Sequence, residues 1–285
     1  MEGAGSPGRR LRWGALVFAV LSGTAPVARA DVPLWELGAG LAGLSAPDYR
    51  GAEESSVHLA PFPYLIYRGE RLRVERTSVR GILLEGERYE LDMSFYGAPP
   101  VDSAGNSARA GMEDLDTTVE AGPALNFYLQ RDAGRGRELK LSLAVRAAVA
   151  VSLQAAPRDV GWLVQPRIQY RCRDDCGRSW DLKATVGPWF GSRRYHQYYY
   201  GVPESAATGE RPAWDAPAGY GGFGLALKAS RRFPHAWFGL YLRYDDLHGV
   251  AYEESPLFRS RGAFTVGAAL AWVFRESERQ VPGLR

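Results

Sequence analysis

The sequence predicts an all-β fold, more specifically a transmembrane antiparallel β-barrel of about 12 strands. Three observations support this prediction. Apolar residues alternate with small or polar residues at period two, the period of a β-strand. The alternating segments run for about 9–13 residues, as a tilted membrane strand requires, whereas strands of soluble proteins peak near 5–6 residues. Short connections between the segments alternate with long ones, as in bacterial outer-membrane barrels.

Residues 1–30 are predicted to be a secretory signal peptide. A basic stretch at Arg9–Arg12 precedes a short apolar core at Trp13–Leu21, and Ala28–Ala30 has the small-x-small pattern of a cleavage site. A single membrane anchor is the alternative, but the core is much shorter than the roughly 20 apolar residues of a helical span. Cleavage at this site leaves 31–285 as the predicted barrel domain.

The net positive charge of the chain comes from the predicted leader. The whole chain has 35 basic and 32 acidic residues, and the leader holds four arginines and one glutamate. The mature chain therefore has 31 residues of each sign and no net charge, so we expect no nucleic-acid partner. A hydrophobic content of 46%, a charged content of 24% and a mean hydropathy of −0.26 exclude a disordered, fibrous or helical membrane protein.

Twelve segments carry the strand pattern. They lie near 34–44, 58–67, 70–76, 78–85, 88–97, 117–129, 138–151, 160–172, 180–191, 219–231, 236–246 and 262–274. The last segment shows the pattern best. Its bulky apolar residues from Phe264 to Phe274 share one face, and mostly small residues from Thr265 to Val273 share the other.

The same division recurs in the earlier segments. Their apolar faces are, in chain order, Tyr89, Leu91, Met93 and Phe95; Val119, Ala121, Pro123, Leu125, Phe127 and Leu129; Leu139, Leu141, Leu143, Val145, Ala147 and Val149; Trp162, Val164, Pro166, Ile168 and Tyr170; Phe223, Leu225 and Leu227; Phe238, Leu240, Leu242 and Tyr244. A soluble β-sandwich would bury these faces, and a membrane barrel would turn them to lipid.

Strand length and the placement of aromatic residues favour the barrel over the sandwich. Aromatic residues lie near strand ends, as in interfacial girdles: Trp35, Trp162, Tyr170, Tyr244, Trp272 and Phe274. Pro123 and Pro166 are discordant, because proline removes a hydrogen-bond donor from the ladder. We expect a local bulge at each of them.

The connections predict the orientation of the chain. The longer ones are 45–57, 98–116, 192–218 and 247–261, and most of the others are turn-like. An even strand count places both termini on the periplasmic side. The last strand is expected to end near 274, which leaves 275–285 as a short periplasmic tail.

The two cysteines, Cys172 and Cys176, are separated by three residues. In an oxidising compartment they could form a disulfide across a turn. A metal site is not expected, because two further ligands would be needed and no histidine lies nearby in the sequence.

Charged residues on the polar faces are expected to point into the lumen. They are Glu36, Glu90, Asp92, Glu120, Lys140, Arg146, Arg167, Arg171, Lys183, Lys228 and Arg243. They could form a salt-bridged plug of a narrow barrel, or line a small pore with a basic bias. The bulky inward residues Trp189, Trp237 and Tyr241 argue against a wide channel.

The connections contain two groups of candidate contact residues. The long loops combine aromatic residues with arginines, which suits a protein or glycan contact surface or a loop packed over the barrel mouth. These residues are Tyr195, Tyr198, Tyr199, Tyr200, Trp214, Arg193, Arg194 and Arg211. The arginine-rich turns 131–137 and 171–178 could contact murein or periplasmic enzymes, or could be solvated turns.

An enzymatic site is not expected. The four histidines, His58, His196, His235 and His248, are interpreted as surface or interface residues, since no nucleophile-elbow pattern accompanies any of them. The sequence also has no phosphate-cradling glycine-rich loop, so no catalytic residue, metal or cofactor is assigned.

Several short motifs, in order, carry a resemblance to a known family. They are Asp48–Ser55, Pro61–Tyr64, Tyr67–Gly69, Gly111–Asp116, Tyr198–Val202, Pro212–Ala216, Ala218-Gly219 and Ser255–Leu257. Together they resemble the MipA/OmpV family of outer-membrane proteins, named for the MltA-interacting scaffold protein. One departure is that eleven residues follow Phe274, whereas a barrel's last strand commonly ends the chain with an aromatic residue.

The resemblance to this family implies a non-enzymatic barrel in contact with lipid in the outer membrane of a Gram-negative bacterium. It also implies a scaffold at the cell envelope whose partners would be a lytic transglycosylase and a murein synthase. The alternative function is a narrow outer-membrane channel for small solutes.

Overall fold

A computed structural model describes residues 31–69, 72–75, 78–132, 136–152, 155–173 and 179–282. The predicted leader, residues 1–30, lies outside the described residues. Among the described helices, none is long and apolar enough to cross a membrane.

Strands make up most of the described chain. In order, the elements are β1 Asp31–Pro33, β2 Trp35–Pro47, β3 Ser55–Arg68, β4 Leu72–Glu75, β5 Ser78–Glu85, β6 Tyr89–Ala98, β7 Thr117–Asp132, β8 Arg137–Val151, β9 Arg158–Arg173, β10 Trp180–Gly191, α1 Arg193–Tyr200, β11 Gly219–Arg232, β12 Ala236–Asp246, β13 Gly262–Glu276 and β14 Gln280–Pro282. Two single-turn 3₁₀ helices lie in the connections, at Ser103–Gly105 and Glu204–Ala206.

Twelve of these strands, β2 to β13, form a closed antiparallel barrel. Each strand pairs with its neighbour in sequence, and β13 returns to pair with β2, where Leu270 lies opposite Leu41. Every two neighbouring strands of the ring are hydrogen-bonded, including β9 and β10. The predicted all-β fold of about 12 antiparallel strands is confirmed. Closure removes the unpaired edges that an open sheet of this size would expose.

The two faces of the wall differ in chemistry. Leu270 and Trp272 on β13 are 59% and 62% exposed on the outer surface, whereas Ala271 between them is 1% exposed. Leu41 on the neighbouring strand is 57% exposed on the same outer face. A belt of exposed leucine, valine and aromatic side chains is unfavourable in water and favourable in lipid, so the wall spans a membrane.

The expectation of a bulge at Pro123 and at Pro166 is wrong. On one side of each proline the ladder is interrupted for two or three residues, and it then resumes in the same register. The register shifts that do occur lie elsewhere. A glycine lies near each proline, and a Cβ at Gly122 or Gly187 would collide with the neighbouring strand's carbonyl. Because the neighbouring strands approach closely at these glycines, the ladder resumes without an extra residue even though each proline lacks a backbone N–H donor.

The two ends of the barrel are built differently. At the end that carries the long loops, the connections and α1 pack together into one apolar cluster, called the cap here. At the opposite end, β1 and β14, the first and last described strands, pair into a two-stranded ribbon. This ribbon was not predicted, because each of its strands is three residues long and shows no alternation.

Candidate functional site: the lumen and its cap

The charges assigned to the lumen alternate along the strands with the lipid-facing residues. Seven are buried: Glu36, Glu90, Asp92, Glu120, Lys140, Arg146 and Arg243. Four are half-buried: Arg167, Arg171, Lys183 and Lys228. The half-buried group lies on β9, β10 and β11, so interior space remains along that wall.

Glu120 organises the lumen next to the cap. One of its carboxylate oxygens accepts a hydrogen bond from Arg146 Nε at 3.0 Å, and the other accepts from the Tyr195 hydroxyl at 2.9 Å. Arg146 also donates to Gln165 Oε1 at 3.0 Å and to Ser94 Oγ at 3.4 Å. The carboxylate thus ties β7 and β8 to α1 of the cap and has both oxygens engaged.

Asp245 forms a second charged group at the same level. Arg243 donates to both of its oxygens at 2.6 Å, and Arg50 Nε lies 3.7 Å from Oδ1. Arg50 comes from the β2–β3 connection, and its guanidinium also lies 4.6 Å from the Trp189 ring centroid. The sequence analysis missed Asp245, although it shares the inward face of β12 with Arg243.

Glu36 forms a third group, near the ribbon. It accepts hydrogen bonds from Arg68, from Arg232 Nε at 2.9 Å and from the Tyr64 hydroxyl at 3.2 Å. Trp237 packs against Tyr64 with the ring centroids 6.0 Å apart. These contacts fill the part of the lumen bordered by β2, β3 and β12.

The wall of β8, β9 and β10 carries further pairs near the same end. Arg171 donates to both Asp181 oxygens, at 2.9 and 2.5 Å. Cys172 is buried and disulfide-bonded. Cys176 lies outside the described residues, as do 133–135 and 174–178 in the arginine-rich turns, so its pairing with Cys172 stays a prediction.

Aromatic side chains fill the cap. Tyr200 and Tyr252 stack with centroids 3.5 Å apart and planes inclined by 6°. Trp189 lies against Gly221, where a Cβ would collide with its ring. Burial raises the pKa of Tyr200 far above its usual value. Apolar packing, T-shaped ring contacts and hydroxyl hydrogen bonds therefore hold the cap together.

The loop aromatics were predicted either to form a contact surface or to pack over the barrel mouth, and the structure favours the packing over the mouth. Tyr195, Tyr199 and Tyr200 are buried in the cap, and Tyr198 and Trp214 are half-buried against it. Of the loop arginines, Arg211 is buried and donates to backbone carbonyls of two loops, whereas Arg193 and Arg194 are exposed.

The structure corrects the prediction that His196 is a surface or interface residue. It is fully buried in the cap rather than at a surface, whereas His235 and His248 are exposed. Its Nδ1 donates to the Pro217 carbonyl at 2.7 Å, which leaves Nε2 as the unprotonated nitrogen of a neutral ring. Burial lowers the pKa of His196 below its ordinary 6.5, and the Pro217 hydrogen bond opposes this only in part.

The cap is therefore expected to lose stability in acid. As pH falls through about 6.5, His196 takes up a proton in the unfolded segment before it does so in the folded cap, so the folded form is disfavoured. Hydrogen exchange in 192–218 and 247–261 should be faster at pH 5.5 than at pH 7.5. His196→Phe should remove most of this difference, whereas His235→Phe should leave it unchanged. Equal exchange at both pH values in the native chain would contradict the prediction.

Within the described part of the chain, no cluster of three or more histidine, cysteine or acidic side chains is arranged to hold a metal. The acidic groups described above are instead paired with arginines. The arrangement therefore provides charge pairing and packing around a partly filled lumen.

Comparisons with known proteins give one family match. The family profile described as "MltA-interacting protein MipA" matches residues 39–274. No curated protein sequence matches the chain.

Solved structures of outer-membrane proteins resemble the chain weakly. A NanC porin has 8% identity, a TM-score of 0.40 and coverage of 82% of this chain and 98% of its own. An outer membrane channel from Pseudomonas putida F1 has 12% identity, a TM-score of 0.44 and coverage of 88% and 99%. Outer membrane phospholipase A from Escherichia coli has 14% identity, a TM-score of 0.34 and coverage of 87% and 93%. At these scores the similarities carry no argument about this chain.

Proposed function

The chain belongs to the family of the MltA-interacting protein MipA, and from that membership we propose that it acts as a non-enzymatic scaffold at the cell envelope. It is an outer-membrane β-barrel of the Gram-negative type. The proposed partners are a lytic transglycosylase and a murein synthase, bound on the periplasmic side. The family match over most of the barrel is the observation that carries this proposal.

The paired charges of the interior support a scaffold. Glu120 and Asp245 have both carboxylate oxygens engaged beside the cap, and Glu36 is bound by two arginines at the other end. A lumen held by paired charges and closed at one end gives a rigid wall. Rigid elements are the appropriate support for a binding surface.

The ribbon is the surface that we assign to the partners. The first and last described residues, Asp31 and Pro282, lie at its end of the barrel, which we assign to the periplasm because a secretory leader is predicted to precede Asp31. The Leu34 N to Arg279 O hydrogen bond, at 2.9 Å, extends the ribbon towards the barrel. Two further backbone bonds join these connections to the barrel wall, from Arg68 N of β3 to Leu34 O at 2.8 Å and from Ser277 N to Trp35 O of β2 at 2.9 Å. The exposed charges that precede β14, Arg275 among them, give the ribbon a polar rim suited to a transient partner.

A capture experiment tests the scaffold. The tagged full chain, isolated from envelopes, is expected to enrich a lytic transglycosylase. The double variant Arg275→Glu/Arg279→Glu should reduce that enrichment several-fold, because reversing rim charges weakens association. Arg193→Glu, an exposed charge reversal at the cap, is the matched control and should capture as well as the native chain. A native chain that enriches no murein-active enzyme would contradict the scaffold.

A narrow channel is the second candidate, and one observation favours it. The inward positions of β10 and β11 include half-buried Lys183, Thr185 and Lys228, so this wall is not packed to the density of the opposite one. Planar-bilayer recording of the inserted barrel tests this candidate. A correctly folded barrel that gives no conductance steps would exclude it.

A further inference from the structure

The barrel wall is incomplete between β3 and β6. β3 pairs with β2 along nearly its whole length, but with β4 only at its last two residues. β6 pairs with β7 throughout, but in the described part of the chain its pairing with β5 stops at Asp92. The β4–β5 hairpin ends within two residues of the Glu75–Ser78 pair, so it does not reach the outer halves of its neighbours. Residues 55–66 of β3 and 93–98 of β6 therefore border an opening, called the window here.

The β3 edge of the window carries two prolines. Arg68 N donates to Leu34 O, on the β2 side of the strand. Because the direction of the backbone groups alternates along a strand, the even-numbered residues of β3 turn N–H and C=O to β2 and the odd-numbered residues turn them to the window. Pro61 and Pro63 are odd-numbered, so two donors are missing from this edge. Proline on an edge strand opposes the addition of another strand, so the edge is poorly suited to pair with a partner or a second copy.

Side chains on both faces of the wall are accessible at the window. On the outer face, Val57 and Leu59 are 73% and 71% exposed, more than Leu41 on the neighbouring strand. Tyr96 and Ala60 point inward by the strand period, yet Tyr96 is 40% exposed and Ala60 is exposed too. A lumen-facing side chain stays accessible only where space adjoins it. The window therefore joins the lumen to the outer surface.

The cap and the hairpin bound the window above and below. Asn106 Nδ2 donates to Asp48 Oδ2 at 2.8 Å, and Ser107 N donates to Glu54 Oε1 at 2.9 Å. These bonds join the β2–β3 connection to the β6–β7 connection across the top. At the level of the hairpin, three interstrand spacings separate β3 from β6, so their axes lie about 14 Å apart. An opening of this size admits a chain-like ligand rather than a folded partner.

The two rims of the window differ in polarity. The outer rim is apolar, with Phe95 of β6 facing the valine and leucines of β3. Inside, Arg146 donates to Ser94 Oγ at 3.4 Å, and its guanidinium lies 5.8 Å from the Tyr96 ring centroid. The Tyr96 hydroxyl has no hydrogen-bond partner among the residues that the structure describes. Unpaired backbone is costly in hydrocarbon and is tolerated where it lines a water-filled cavity, so the inner rim is the polar side of the window.

We propose that the window is a lateral entry site for a single-chain amphiphile of the fatty-acid type. The hydrocarbon chain lies between β3 and β6, in contact with the bilayer. The polar head lies in the lumen, where the Tyr96 hydroxyl is free to bind it. Since the cap closes the outer mouth, the ligand enters from the membrane. The proposal does not rest on the scaffold role.

Photolabelling of the full chain in phosphatidylcholine vesicles tests the window. The probe is a fatty acid with a photoreactive diazirine in its chain, and mass spectrometry maps the labelled residues. Lipid-facing residues are labelled in any case, so the diagnostic residues are the inward-facing Ala60 and Tyr96. Both should be labelled in the native chain, whereas Ala226, inward-facing on β11 and distant from the window, should not. A phosphatidylcholine carrying the same diazirine is the second probe and should label the outer face alone.

Two variants locate the entry. Ala60→Trp places a large side chain at the window and should reduce labelling of Tyr96 several-fold. Ala226→Trp adds the same bulk elsewhere in the lumen and is the matched control, expected to leave that labelling unchanged. Labels confined to outward-facing residues, or an equal loss with both variants, overturn the proposal. The labelling pattern of the native chain decides the matter even where a variant does not fold.

The other occupants of the window have their own outcomes. Inward labelling by the phosphatidylcholine probe as strong as that by the fatty acid would assign the window to a bilayer lipid and overturn the single-chain ligand. A native chain that is dimeric in detergent and is labelled inside by neither probe would indicate that a second copy covers the window, which also overturns the proposal. Partner capture is measured separately, so failure of this site leaves the scaffold proposal intact.

Discussion

Replacing Glu120 with glutamine is expected to destabilise the barrel by about 3–5 kcal/mol, because it leaves a buried charge without its partner. The Arg146 side chain is 4% exposed and that of Glu120 is 3% exposed, so water cannot take over the lost interaction. Glutamine keeps the size of the side chain and an acceptor for Tyr195. The loss should therefore reflect the unpaired guanidinium. Urea unfolding of the barrel in lipid vesicles measures it.

A double variant provides the control for that prediction. Glu120→Gln combined with Arg146→Met removes the charge as well as its partner, and should recover most of the lost stability, since replacing a whole buried pair by apolar groups is often neutral. If Glu120→Gln alone were within about 1 kcal/mol of the native chain, the assignment of this pair as structural would be wrong.

Leu270→Arg is expected to destabilise the inserted barrel by about 2–4 kcal/mol, the cost of a charge on the lipid face near the bilayer midplane. Leu270 lies near the middle of β13, 59% exposed, opposite Phe238 on one side and Leu41 on the other. In a water-soluble sheet the same exposed position would accept arginine with little effect. The experiment therefore tests membrane insertion itself.

Phe264→Arg is the matched control on the same face of the same strand. Phe264 is 64% exposed but lies near the beginning of β13, where an arginine reaches the interface and should cost about 0–1 kcal/mol. Equal effects at the two positions in vesicle-inserted protein would contradict the lipid-facing assignment.

Most of the strand pattern could be predicted from sequence because each strand residue's face depends only on its own backbone. The two-residue period of a strand predicts that Phe264 and Leu270 face outward and that Arg243 faces inward. The same count places Asp245 on the inward face of β12. The pattern failed at β1 and β14, where three residues contain too few alternations to be detected.

The contacts of the inward residues could not be predicted in the same way. Arg50 reaches Asp245 from a loop almost 200 positions earlier, and Tyr195 reaches Glu120 across 75 positions. Both contacts form only after the barrel has closed and the loops of the cap have packed over its mouth. The burial of His196 has the same origin, since nothing in its local sequence separates it from a loop histidine at the surface.

The sequence alone determined the all-β class, the strands and the side of the wall to which each of their residues points. These follow from a two-residue repeat and the requirement that lipid meets apolar atoms. The tertiary structure alone decided which charges pair, which loop residues close the mouth and which strand edges remain unpaired. Those outcomes depend on distances between segments far apart in the chain, which exist only after the β-sheet closes on itself.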